Sequence, residues 1–395
     1  MKQIRSKRWI FLVAGALLWT ACQEENEAVR TFEGDLLLST QEEVDNFGHQ
    51  GLEEVTGNLL IDSDPGEGSE IRSLEGLSKL RRVEGDLSIY DNDELTSLAG
   101  LNQLSFVGGG LVVTSNKGLL TINTLNDLTS VGQSLVIGHN DRLGSIDGFD
   151  SLTYVGASIE ISGNSTLSTI IGFNRLSSIP GSLWVSSNRS LLGIDGFSSL
   201  SFVGLDLSFG NNTSLLNLDS FSNLSSVGRG LWIKTNEALV SVAGLSKLSS
   251  VGTRIEIQRN SALTTLDGLG QVSNLPEFLI VWDNSSLKNM DGLSGISKIG
   301  TMIVGFNESL LSINLPRLST VDFQLTIQGN GKLQSLDGLA NITYVGYGVL
   351  VEDNLNLNSF CGIRPLIQDG FSGEYDVSNN AVNPTQEEVL VGRCN

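Results

Sequence analysis

The sequence predicts an all-β solenoid of about thirteen coils with a short capping helix at each end, and three observations point to it. Asparagines recur at Asn92, Asn116, Asn140, Asn164, Asn188, Asn212, Asn236, Asn260, Asn284, Asn307, Asn330 and Asn354, a step of 24 residues that shortens to 23 on either side of Asn307. Apolar residues hold fixed offsets from each of them; around Asn140 they are Leu135, Ile137, Leu143, Ile146, Phe149, Leu152 and Val155. Glycine marks two corners of the same period, with Gly108, Gly132, Gly156, Gly204, Gly228, Gly252, Gly300 and Gly346 at one and Gly100, Gly148, Gly172, Gly196, Gly244, Gly268, Gly292 and Gly338 at the other, the middle bend.

Within one repeat, Leu135 and Ile137 alternate like a strand. The later spacing of three does not fit a helix, because at about 100° per residue the stripe drifts by roughly a third of a turn over twelve residues. Gly, Ser, Asn and Asp crowd the positions between, which suits bends. Glycine at the corners is expected to supply positive φ. The two short repeats lose a residue near Gly300 and Thr301 and near Leu315 and Pro316, so deletions fall in turns. Each asparagine both donates and accepts hydrogen bonds, so stacked copies are expected to satisfy one another and the bend's backbone. Seven buried side chains at roughly 1.5–3 kcal/mol each do not clearly exceed an ordering cost of about 1–2 kcal/mol per residue, so a lone coil is unstable and neighbours must complete it.

The chain's ends carry different signals. Asp35 through Ser39 reads as a strand, and Thr40-Gln41-Glu42-Glu43 has the spacing of a capping box that starts a helix to about Phe47. Between Asp64 and Leu74 the first coil carries about four extra residues, Pro65-Gly66-Glu67-Gly68 among them, which must bulge from a turn. Thr385-Gln386-Glu387-Glu388 repeats the capping-box signature near the other end. Helices at both ends would hide the open edges of a stacked sheet. The first residues have the pattern of an export signal: Lys2, Arg5, Lys7 and Arg8, then an apolar run from Trp9 to Leu18. The net charge is −20, or −24 without those four basic residues, a surface that disfavours nucleic acid.

Trp19-Thr20-Ala21-Cys22 after the apolar run resembles a bacterial lipoprotein signal, which implies that Cys22 is lipidated and anchors the chain to a membrane. The acidic stretch Gln23-Glu24-Glu25-Asn26-Glu27 is similar to signals that send lipoproteins of Bacteroidetes-type bacteria to the outer face of the outer membrane. With Cys22 so assigned, Cys361 and Cys394 remain as a disulfide pair after the last repeat. The recurring Leu-x-Ile-x-x-Asn, Leu-x-Ser-Leu-x-Gly-Leu and Leu-x-x-Val-Gly resemble the L domain of insulin- and epidermal-growth-factor-type receptors, and the likeness implies a right-handed, leucine-rich β-helix. It covers about residues 33 to 395, but the cysteine-rich modules and kinase of a receptor are missing, so only a role as a binding scaffold is implied. The expected organisation is a signal peptide over 1–21, an acidic tether over 22–32, the solenoid over 33–360 and a disulfide-closed cap over 361–395.

Catalysis needs convergent acids, bases or metal ligands, and the sequence offers two well-separated histidines, His49 and His139, and no nucleophile or phosphate motif. Asp147, Asp195, Asp267, Asp291 and Asp337 form a column, but each precedes a glycine at one bend, as turn chemistry requires. No catalytic residue, metal or cofactor is expected. The informative positions lie two and four before each asparagine, where alternation points side chains outward. Val112, Val136, Trp184, Trp232, Ile280, Trp282, Ile303 and Leu350 occupy them, with Glu160, Lys234, Glu256 and Gln258 interspersed. Trp184, Trp232, Trp282, Ile280, Lys234 and Gln258 are the candidate ligand-binding residues, since an exposed aromatic stripe marks recognition. The expected function is non-catalytic adhesion or capture of a glycan or extracellular protein by a lipid-anchored protein of the bacterial outer membrane. The competing class is a polysaccharide-acting lyase or hydrolase.

Overall fold

The computed structural model describes residues 29–63 and 70–395. The leader, Cys22, the acidic run and the Pro65–Gly68 insertion lie outside the described residues. The chain winds into a right-handed parallel β-solenoid of about 14 turns. Each coil contributes one strand to a main sheet, from Leu36–Leu38 and Leu59–Asp62 through Leu135–Gly138, Leu183–Ser186 and Gly230–Lys234 to Gly348–Glu352 and Glu374–Ser378. Register is kept by the period itself: Leu135, Val136 and Ile137 pair with Ile159, Glu160 and Ile161 of the next coil. Between Leu59 and its partner Leu87 the separation is 28 residues, which confirms the insertion.

A second sheet is built from two-residue strands such as Phe106–Val107, Ser130–Val131 and Tyr154–Val155. The third side opens with a 3-10 turn at Glu75–Leu77, runs as two-residue strands from Thr121–Ile122 to Gly193–Ile194, and returns to 3-10 turns at Asp219–Phe221, Ala243–Leu245, Asp291–Leu293 and Asp337–Leu339. Where the two forms meet, Phe149, Phe173, Phe197 and Phe221 stack through the core with centroids 4.8, 4.8 and 5.9 Å apart. The strand Asn274–Trp282 runs through the corner from the second sheet into the main one, and so does its neighbour Lys298–Gly305. Their register slips between Leu275 and Phe278, because three steps on one strand face two on the other; the residue missing near Gly300 is lost at this corner.

The asparagines stand in single file, fully buried, and carry the fold's polar ledger. The Asn140 Nδ2 donates to the Val113 carbonyl of the preceding coil (3.0 Å) and to Asn164 Oδ1 of the following one (3.2 Å), while Asn140 Oδ1 accepts from the Asn116 main-chain N–H (3.0 Å). The file is longer than the strict period suggests. Ser63 takes the first place, its hydroxyl donating to Asn92 Oδ1 at 2.9 Å and accepting from the Ile71 main-chain N–H at 3.0 Å. Asn380, 26 residues beyond Asn354, takes the last and closes on Asn383.

The positive φ values fall on the expected corner glycines only at Gly100 and Gly268 of the middle bend, at 105° and 114°. They fall mainly on the residue just before each ladder asparagine, among them Ser115, His139, Ser187, Thr235 and Asp283, with φ between 54° and 59°. At Gly132, Gly156, Gly204, Gly228 and Gly252 the requirement is contact: a Cβ there would lie 1.8–2.0 Å from a carbonyl oxygen of the preceding coil. Glycine is needed at this corner because the backbones touch.

Both capping boxes form. The first opens the helix Gln41–Gln50, three residues longer than expected, which ends at left-handed Gly51 and buries Val44 and Phe47 over the first coil. The second opens Gln386–Leu390. Cys361 and Cys394 are joined across 33 residues, with Cα atoms 5.1 Å apart. Closing such a loop contributes about 2–4 kcal/mol. Cys361→Ser with Cys394→Ser is therefore expected to speed amide exchange in Glu374–Ser378 while leaving Leu207–Gly210 protected; equal protection of both strands would refute the clasp.

Candidate ligand-binding face

Alternation along the main sheet turns every second residue outward, and the structure places all three candidate tryptophans on that face. Register puts Trp184, Ser208, Trp232, Glu256, Ile280 and Ile303 in one column, and Lys234, Gln258, Trp282 and Gly305 in the next. Trp184 is the most open of the three tryptophans, at 37% exposure. It stands apart, between Ser208 and Glu160, whose carboxylate accepts from the Ser162 hydroxyl at 2.7 Å.

The other candidate residues converge on Glu256, which the sequence reading placed among exposed groups and which is only 6% exposed. Lys234 Nζ lies 2.5 Å from Glu256 Oε2, and Gln258 Nε2 donates to the same oxygen at 2.9 Å. Lys234 Nζ also sits 4.2 Å from the Trp232 ring centroid. Arg254, which sequence reasoning missed, spans the cluster: its guanidinium is 5.4 Å from Trp232, 5.5 Å from Phe278 and 2.5 Å from the Glu277 carboxylate. A carboxylate so covered is stable only when paired and hydrogen-bonded, and here it is both.

Asp206 anchors the other edge of this cluster. Burial pushes its carboxyl up, but hydrogen bonds from Arg229, Trp232 and the Gly230 N–H, with the Arg229 charge, outweigh that and leave its pKa below the usual carboxylate value. The Arg229 Nε donates to Asp206 Oδ1 at 2.8 Å. Trp232 is thus held at its nitrogen and along one face, so it works as a strut for Lys234 more than as a free platform.

The open apolar surface lies along the next strand. Phe278, Ile280 and Trp282 alternate outward in Asn274–Trp282, and Phe306 of the next coil packs against Trp282 with centroids 4.7 Å apart and planes tilted by 58°. The Trp282 ring covers Gly305, where a Cβ would meet the indole at 2.4 Å. The result is an apolar belt across the sheet, rimmed by the Lys234–Glu256 and Arg254–Glu277 pairs. Phe278 and Phe306 fall six and one before their asparagines, outside the columns that alternation singled out. A count of aromatics at every offset would have found them.

Four of the five aspartates in the column make local side-chain bonds at the bend, Asp267, Asp291 and Asp337 each donating their N–H to the side chain two residues earlier and Asp147 accepting from Thr121 and Ser145, while the Asp195 N–H donates to the Ile170 carbonyl. Among the described residues no group of three or more His, Cys, Asp or Glu is arranged to hold a metal ion. Comparison with known proteins leaves the geometry to speak for itself: no protein-family model matches this chain, and a search of the curated proteins finds no match.

Proposed function

We propose that this chain is a non-catalytic binding scaffold whose working surface is the outer face of the main sheet, and that it captures an extracellular macromolecule, a glycan or a protein. The observation that carries this reading is the belt of Phe278, Ile280, Trp282 and Phe306, half-buried to exposed, beside an ion-pair cluster that holds its charges in place. A rigid apolar centre inside a polar rim is the anatomy of a binding hot spot. A parallel sheet needs no aromatic residues on its wet side for stability, whereas such a patch in water favours association. The export-like pattern at Lys2 to Leu18, Cys22 and the acidic run support a lipid anchor at the bacterial outer surface, and the receptor L-domain resemblance supports a role in recognition.

The test uses a glycan and host-protein array probed with the wild type and with the Trp184→Ala, Trp232→Ala, Trp282→Ala triple variant. We expect the variant to keep its unfolding midpoint within a few degrees and to lose at least tenfold in affinity for whatever the wild type retains, because buried aromatic anchors contribute about 2 kcal/mol or more each. A folded variant that binds as well as the wild type removes this face from consideration. Release of product from any arrayed glycan would instead establish the polysaccharide-acting class.

A further inference from the structure

A second site lies on the same face, centred three coils beyond Trp282. Register stacks Gln324, Gly348 and Glu374, and because Gly348 has no side chain a depression of about 430 Å³ opens between its neighbours. Its floor is Leu350. One wall is the stacked pair of Phe323 and Tyr347, with centroids 5.8 Å apart and planes within 22°. These are among the most open aromatics on the molecule, at 47% and 70% exposure. The opposite wall holds the exposed carboxylates of Glu374 and Asp376, two residues apart on one strand and so on the same side of it.

The chain shows three times what such a combination holds. Arg82 lies 4.1 Å from the Phe106 ring centroid and is paired with Glu84; Lys234 lies over Trp232 and is paired with Glu256; Arg254 lies over Phe278 and is paired with Glu277. Each is a cation set between an aromatic face and a carboxylate, an arrangement that gains from both the ring quadrupole and the charge. The fourth has rings and carboxylates but no basic residue: the main-sheet stretches 278–282, 301–305, 324–328, 348–352 and 374–378 contain neither Lys nor Arg. Neither Glu374 nor Asp376 has an ion-pair partner among the described residues; Lys298, nearby in the fold, is taken by Asp322 at 3.0 Å.

From this we infer that the depression walled by Tyr347, Phe323, Glu374 and Asp376 binds the ammonium group of a lysine side chain presented by a protein partner. The alkyl stem lies along Leu350 and the ring of Tyr347, and the charged end meets the two carboxylates. The site stands apart from the tryptophan belt and does not rest on the reading given for it.

The test is retention on lysine immobilised through its α-amine with the ε-amine free, beside the same resin with the ε-amine acetylated. The wild type is expected to be retained on the first, released by 6-aminohexanoate, and to pass through the second. Tyr347→Ala and, separately, Glu374→Gln with Asp376→Asn are expected to weaken retention at least tenfold. Two controls are expected to bind as the wild type does: the tryptophan triple variant, and Asp93→Asn with Glu94→Gln, which removes the same charge far from the site. Unfolding midpoints keep loss of fold separate from loss of binding. Equal retention of the acetylated resin, equal loss in the Asp93 and Glu94 control, undiminished retention of the site variants, or no retention of the wild type would each overturn the proposal.

Discussion

Asn260→Ala is expected to cut the solenoid's cooperativity in two. The Asn260 Oδ1 accepts from the Asn236 main-chain N–H at 3.1 Å and from Asn236 Nδ2 at 3.2 Å. Its Nδ2 donates to the Ile233 carbonyl at 2.9 Å, to the Gln258 carbonyl at 3.1 Å and to Asn284 Oδ1 at 3.1 Å. All of these bonds but the one to the Gln258 carbonyl are buried, so alanine strips partners from groups that water cannot reach. Each group left unsatisfied costs about 1–3 kcal/mol, which puts the loss at roughly 3–5 kcal/mol. In a repeat array stability is a sum of coil and nearest-neighbour terms, so a loss of this size at one interface uncouples the blocks on either side. Denaturant unfolding followed by fluorescence should then show two transitions, the block with Trp282 separating from the block with Trp184. A single transition shifted by less than about 1 kcal/mol would mean that the ladder is ornament and the leucine core alone carries the stack.

How much of this could be read from the sequence depends on which property each residue reports. The asparagine file, the buried apolar columns and the two capping boxes were legible, because each follows from a strict spacing or a local hydrogen-bond rule, and the Cys361–Cys394 bridge was legible as the pair left once Cys22 is set aside. The deletions near Gly300 and Leu315 were legible too, since a solenoid keeps its core in phase and absorbs length changes at corners. Asn380 was not, because the 26-residue step to it breaks the period. Glu256 was not, because alternation tells which way a side chain leaves the strand and says nothing of what folds over it. Trp232 and Lys234 come from one coil and Arg254 and Gln258 from the next, and only the register of the sheet brings the first pair beside the Glu256 carboxylate of the second. The depression beside Tyr347 was hidden for the opposite reason: it is made by a residue with no side chain, Gly348, and by a stack of rings at a corner where other coils carry Arg229, Thr253 and Glu277.

Gly228→Ala is expected to be among the most damaging single changes in the molecule, and the reason bears on what the corner glycines do. A Cβ at Gly228 would sit 2.0 Å from the Gly204 carbonyl oxygen and 2.8 Å from its carbon, while Gly204 itself rests on the Pro180 oxygen and Gly252 on that of Gly228. No rotamer relieves a clash with backbone, so the coils must separate. The Gly228 N–H to Val203 bond of 2.8 Å and the Arg229 N–H to Leu205 bond of 2.9 Å are then strained, and Arg229 carries Asp206 and the Trp232 edge of the binding face with it. We expect a loss of more than about 4 kcal/mol or failure to fold, against a change within about 1 kcal/mol for Gly331→Ala, where a Cβ would meet nothing within 4 Å. Asparagine separates the two explanations of the corner, because it tolerates left-handed backbone but still brings a Cβ. If contact is the cause, Gly228→Asn fails as badly as alanine. Gly329→Asn, at a position where φ is 65° and Asn211 and Asn379 adopt 55° and 54° in other coils, is expected to fold, with only the Phe306 ring yielding to it. Rescue of the Gly228 corner by asparagine would show that the backbone angle, and not the touching of the coils, dictates glycine there.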